Sequence, residues 1–233
     1  MIAVMMMAAL LASTGLRGAD EPAGARLADQ AALKPFGPLV GSWRGTGQAQ
    51  RGRSQGAWTE GASWAWKLSA DSAGLEIAVE KGKYLKGAVL KPGDGAGSFV
   101  LDATLADGSK RTFGGKAVAG KPLVLGAEGA GEGVRRVTLT IPNDLRFLIL
   151  LESQAGGGSF VRLGEVGYTR NGVSFAAGES GPTCVVTEGR GTIQVNHQGK
   201  TYWVCCSGCR DLFNENPAAI LAEADARQKK EKK

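Results

Sequence analysis

From Leu39 to about Asn171 the chain alternates apolar and polar residues in short runs, each ended by glycine, asparagine or aspartate. A period of two puts successive side chains on opposite faces of a strand. The pattern predicts strands near 40–49, 57–68, 74–80, 83–91, 97–105, 110–118, 122–127, 133–141, 145–151 and 159–170. The connections Lys81-Gly82, Asp107-Gly108 and Pro142-Asn143-Asp144 are turn chemistry, short enough to join neighbouring antiparallel strands. About ten strands in simple succession predict an up-and-down barrel, because closure removes the exposed edges of such a sheet. Residues 20–38 read as a polar, alanine-rich lead-in, with one short helix from Arg26 to Lys34 stopped by Pro35 and Pro38.

The run Ala57–Leu68 puts Trp58, Glu60, Ala62, Trp64, Trp66 and Leu68 on one face and Thr59, Gly61, Ser63, Ala65 and Lys67 on the other. Two readings follow. The indoles fill the barrel interior, as large aromatics do in small barrels. Alternatively, Trp58, Trp64 and Trp66 line a pocket for a small apolar ligand, with Glu60 as its polar handle.

Composition narrows the choice of function. The 233 residues are 43% hydrophobic and 21% charged, which is globular, and 36 glycines without a Gly-X-Y period suit many tight turns rather than collagen. The only histidine, His197, excludes every site that needs two imidazoles. Much of the net charge of +6 comes from Arg227, Lys229, Lys230, Lys232 and Lys233, so the basicity belongs mainly to residues 227–233, read as a solvated tail. No basic stripe interleaved with aromatics accompanies it, and nucleic acid is not an expected partner. All four methionines lie in the first seven residues, within an apolar run from Ile2 to Ala12 that is too short to span a bilayer and reads as a signal-peptide h-region. Residues 1–19 are therefore read as a signal peptide of a secreted or periplasmic protein, with no membrane span after its cleavage.

Residues 171–183 are polar and glycine-rich, with a linker placed at 176–183, and a second unit, 184–226, follows. All four cysteines and the histidine lie between 184 and 209. Val185–Thr187 and Thr192–His197 read as strands, Gln198-Gly199 as a turn and Lys200–Val204 as the returning strand, so a hairpin carries the chain from Cys184 to Cys205 and Cys206. Ser207–Phe213 reads as a helix start. Asn216 as N-cap and Pro217 at the first position open a second helix. Thiols at a helix N-terminus are favoured as thiolates, the form that a soft or borderline metal needs.

The spacing Cys-x20-Cys-x3-Cys, with Gly199-Lys200-Thr201-Tyr202-Trp203-Val204-Cys205-Cys206-Ser207-Gly208-Cys209, then Phe213 and Asn216-Pro217, resembles the TRASH domain and its YHS relatives over residues 182–230. These are small treble-clef-like modules associated with heavy-metal sensing, trafficking and resistance. The resemblance implies a metal site with Cys184, Cys205 and Cys209 as ligands, framed by Lys200, Tyr202 and Phe213. The proline often found straight after the first cysteine is replaced by Val185. Cys206 and His197 are both candidates for a fourth ligand. Zinc is the default for a tetrahedral sulfur-rich site, and three thiolates alone would suit monovalent copper. The alternative for an even number of cysteines in a secreted chain is disulfide bonding, with Cys206–Cys209 forming a Cys-x-x-C pair.

The opening Gly41-Ser42-Trp43-Arg44-Gly45 resembles the Gly-x-Trp start of lipocalin-like barrels and the Gly-x-Trp-x-Gly opening of nitrobindin-like haem barrels. Haem is disfavoured, because residues 35–180 contain no histidine, cysteine or methionine, leaving only Tyr84 or Tyr168 as a formal ligand. The fold expected is thus mainly β: a lipocalin-like antiparallel barrel over 39–175 and a small α+β treble-clef-like module. The function expected is binding of zinc or copper(I) without catalysis, as carrier, buffer or sensor-like accessory to a metal-transport or resistance protein. The alternative is a barrel binding a small apolar ligand, with the cysteine module as a structural cap. An enzymatic reading has only Glu60 among aromatics and a Cys-His pair behind it, and neither specifies a reaction.

Overall fold

The computed structural model describes residues 21–129, 131–156, 158–172 and 181–231. Residues 1–19, read from sequence as a signal peptide, and most of the expected linker at 176–183 lie outside the described residues.

Ten strands form a closed antiparallel meander: β1 (Gly41–Gln48), β2 (Trp58–Leu68), β3 (Ala73–Glu80), β4 (Leu85–Pro92), β5 (Ser98–Leu105), β6 (Lys110–Lys116), β7 (Leu123–Ala127), β8 (Arg136–Asn143), β9 (Arg146–Gln154) and β10 (Phe160–Arg170). Each strand pairs with its sequence neighbour, and β1 closes the barrel against β10 in a register that sets Trp43 opposite Arg170. Burial alternates along β2, β5 and β9, which is the period of two read from the sequence. The expected fold class is the observed one, with strand ends differing by a few residues. The largest difference is at β8, which begins at Arg136; Val134 and Arg135 before it are buried, and the Arg135 guanidinium donates to the carbonyls of Ala127, Glu128 and Gly129.

The interior is filled by aromatic and aliphatic side chains. Trp43 meets Phe147 edge-on at 4.7 Å, and Phe147 stacks on Tyr168 at 4.3 Å. An apolar cavity of about 20 Å³ remains among Trp64, Ile77, Leu90, Phe113, Leu125 and Ile149. That is room for about one water-sized sphere.

The lead-in is more than a polar leader. Helix α1 (Glu21–Leu33) packs over β3 and β4, burying Arg26, Gln30 and Leu33 along one helical face, and the 3₁₀ turn that follows (Lys34–Leu39) buries Phe36, which meets Phe99 of β5, and Leu39. Pro35 and Pro38 lie within the 3₁₀ turn.

The C-terminal unit is a hairpin, β11 (Ile193–His197) and β12 (Lys200–Val204), followed by α2 (Ser207–Glu215) and α3 (Pro217–Glu231). Its turn places Gln198 and Gly199 at φ 49° and 74°, the paired positive values of a tight hairpin. Asn216 caps α3 by accepting from the Ala219 N–H at 3.2 Å. Two expectations are corrected. Val185–Thr187 is a turn rather than a strand, because the Cys184 N–H must reach the Gly189 carbonyl at 2.7 Å. The basic segment from Arg227 is helical through Glu231, because Arg227 is anchored on the turn: it donates to the Val185 carbonyl at 2.6 Å and pairs with Glu188 at 3.3 Å.

Candidate metal centre

Three chain segments bring sulfur to one place. Cys184 opens the turn that ends at Gly189, Cys205 follows β12, and Cys209 lies in the first turn of α2. The turn is held by the Glu188 N–H on the Cys184 carbonyl at 2.9 Å, with Glu188 itself at φ 61°. It is stitched to the hairpin by Val185 N–H on the Trp203 carbonyl at 2.9 Å, and Thr192 donates its hydroxyl to the Cys205 carbonyl at 2.9 Å. Tyr202 and Phe213 pack on each other, 5.8 Å apart between ring centres, whereas Lys200 is exposed at the hairpin end.

The Sγ atoms of Cys184, Cys205 and Cys209 all lie within 4.8 Å of one another, and those of Cys205 and Cys209 are 3.5 Å apart. All four cysteines are buried free thiols. A disulfide would require sulfurs at about 2.05 Å, whereas sulfurs on a tetrahedral zinc ion at about 2.3 Å lie about 3.8 Å apart. The spacing observed fits shared coordination.

Electrostatics points the same way. The Cys184 thiol is held well below the ordinary thiol range, first by hydrogen bonds from Cys205 and Cys209 and then by Thr187. Cys205 and Cys209 are pushed up, first because each hydrogen-bonds to the charged Cys184 and in addition because both are buried. Cys206, beside them, is also held low, first by hydrogen bonds with Cys205 and Cys209.

Cys206 sits beside this set rather than within it. Its Sγ is 3.9 Å from that of Cys205 and accepts a hydrogen bond from the Trp66 N–H of the barrel at 3.3 Å. His197 is paired with Lys200 at the far end of the hairpin and is not among the clustered ligand atoms. The residue missed from sequence is Thr187, whose Oγ1 lies 3.4 Å from the Cys184 and Cys205 sulfurs and 3.8 Å from that of Cys209. A hydroxyl residue three positions after the first cysteine was the available signal.

The barrel candidates are placed differently. Glu60, Trp64 and Trp66 are buried and Trp58 is half-buried. Glu60 does not await a ligand: one carboxylate oxygen accepts from the Tyr168 hydroxyl and the other from the Trp58 indole at 2.7 Å. Tyr84 donates its hydroxyl to the Leu163 carbonyl at 2.9 Å. The apolar cavity bordered by Trp64 measures about 20 Å³, far below the several hundred Å³ of ligand pockets.

No family model matches the chain, and no curated protein matches it significantly. Among solved structures it is similar to Rv2717c from M. tuberculosis, at 16% identity, over 60% of this chain and 97% of that one, with a TM-score of 0.41. A likeness at this level says nothing of function.

Proposed function

We propose that this protein binds one thiophilic transition-metal ion, zinc or monovalent copper, through the thiolates of Cys184, Cys205 and Cys209. The observation that carries the reading is the convergence of three buried, free sulfurs within 4.8 Å of one another, from three segments of the chain. The resemblance of residues 182–230 to TRASH and YHS modules points to the same three residues. The role is binding rather than catalysis: a carrier, buffer or sensor-like accessory that exchanges its ion with a metal-transport or resistance protein. A secreted or periplasmic location rests on the apolar run from Ile2 to Ala12. Among the described residues no helix is long and apolar enough to cross a membrane.

The test is metal content by mass spectrometry, with a free-thiol count, on anaerobically purified wild type and Cys209→Ser. The expected result is about one equivalent of zinc or copper, lost in the variant while the remaining thiols stay reduced. No metal in either protein, with thiols that appear only after reductant is added, would replace this reading with a disulfide-stapled module.

A further inference from the structure

The sulfur triangle has a cap. Thr187 Oγ1 is 3.4 Å, 3.4 Å and 3.8 Å from the three sulfurs, so the hydroxyl stands over their common face rather than beside one of them. For a tetrahedral zinc centre with sulfurs at about 2.3 Å and an oxygen at about 2.0–2.2 Å, sulfur–sulfur edges are about 3.8 Å and oxygen–sulfur edges about 3.5 Å. The four side-chain atoms reproduce the oxygen–sulfur edges, and the 3.5 Å between Cys205 and Cys209 lies near the sulfur–sulfur edge.

Resting on the metal-binding reading above, we propose that Thr187 Oγ1 is the fourth vertex of the site: a neutral oxygen donor that closes a three-thiolate tetrahedron. Neither donor named from sequence is in the cluster: Cys206 accepts from the Trp66 N–H, and His197 lies at the hairpin end. Thr187 is held in place by its turn. Glu188 beside it is pinned from two sides, by Lys34 at 3.0 Å and Arg227 at 3.3 Å, and a β-branched side chain has few rotamers through which to swing its hydroxyl away.

A hydroxyl differs from a fourth thiolate in two ways that bear on function. It adds no negative charge, so three thiolates and a divalent ion leave the buried site at a net charge of minus one. It is also a weak donor, and Thr187 is only half-buried, so this vertex is the one an incoming ligand reaches. Exchange would begin when the sulfur of an acceptor bonds to the metal as its own proton goes to solvent and the metal–hydroxyl bond breaks, with all three protein thiolates still attached. Monovalent copper is satisfied by three sulfurs and has no need of the fourth vertex.

The experiment compares wild type, Thr187→Val, Thr187→Ser and Thr187→Cys as full-length reduced protein. Zinc affinity is read by competition with a chromophoric chelator, cobalt(II) by its visible absorption, and copper(I) by competition with a copper(I)-selective chelator. Thr187→Val should lose at least about tenfold in zinc affinity, the loss that follows even removal of an outer-sphere partner, and shift the cobalt spectrum, with copper(I) affinity unchanged. Thr187→Ser should bind as wild type, and Thr187→Cys should strengthen the sulfur-to-cobalt absorption and slow zinc exchange. Wild-type zinc affinity and an unaltered cobalt spectrum in Thr187→Val overturn the assignment, as does equal weakening in Thr187→Val and Thr187→Ser, which would implicate packing rather than the hydroxyl. A wild-type chain that takes up no zinc, cobalt or copper overturns the metal-binding reading itself.

Discussion

The backbone N–H of Trp66, in β2 of the barrel, donates to the sulfur of Cys206, the residue at the N-cap position of helix α2 in the C-terminal unit. The second cysteine of the adjacent pair therefore serves the junction between the two parts. The Arg26–Glu223 and Lys34–Glu188 ion pairs join α3 and the Cys184 turn to α1 and the 3₁₀ turn, and α2 packs on β2. The cysteine module is seated on the barrel rather than tethered to it.

Cys206→Ala should therefore separate metal binding from docking. It leaves the buried Trp66 N–H without a partner, a loss of about 1–3 kcal/mol, but removes none of the three clustered sulfurs. Urea unfolding and metal content, measured together, should give a lower midpoint with unchanged stoichiometry. Loss of the metal would make Cys206 a ligand.

Gly208 has no room to grow. A Cβ there would stand 1.7 Å from the Trp66 carbonyl oxygen, a backbone atom that cannot move aside cheaply. Gly208→Ala should cost about 1–3 kcal/mol and expose the module to limited proteolysis before the barrel. Wild-type resistance to protease would show that the seam is loose.

Arg26 is buried and donates twice from Nη2 to Glu223, at 2.7 Å and 2.9 Å, while its Nε and Nη1 have no acceptor among the described residues. Removing the carboxylate strands a buried cation. Glu223→Gln is expected to destabilise by about 3 kcal/mol, the lower end of the range for breaking such a pair, since Glu223 retains some access to water. A change below 1 kcal/mol in chemical unfolding would mean that water already shares the site.

Tyr168 stacks on Phe147 and donates to Glu60, and its phenol is pushed far above the ordinary range, first by burial and then by the Glu60 charge. The native state thus keeps a proton that the unfolded chain releases above about pH 10. The stabilisation is complete below that pH and declines as pH rises, by about 1.4 kcal/mol per unit. Tyr168→Phe should flatten this part of the stability–pH profile, while lowering stability at neutral pH by about 1–3 kcal/mol because a buried carboxylate loses a donor. An unchanged alkaline slope would rule out the linkage.

The barrel was legible because its strands follow a period of two and its connections are short, so alternation and turn residues together determine the meander. What sits on the barrel was less so. Arg26, Gln30 and Leu33 share a helical face, but a buried arginine and glutamine look like surface residues until Glu223, far along the chain, is beside them. Val185–Thr187 reads as strand by β-branching alone; the closure of Cys184 on Gly189 overrides that preference. The cysteines declared themselves by clustering, whereas the one signal for Thr187, a hydroxyl three positions after Cys184, gains meaning only when three sulfurs surround it. His197 shows the reverse, since its residue type suggests a ligand and its place at the hairpin end removes it from the site.

The barrel closes by pairing β1 with β10, bringing Trp43 against Arg170 from opposite ends of the barrel sequence. The sulfurs, in contrast, gather within the short stretch from Cys184 to Cys209. Contacts between sequence neighbours form early, and those between distant segments wait on the entropy of closing a long loop. Stopped-flow refolding with cobalt should show sulfur-to-metal absorption rising before the tryptophan signal of the closed barrel. The order of these events would make the metal module a fast-forming nucleus, onto which the slower barrel docks through Trp66.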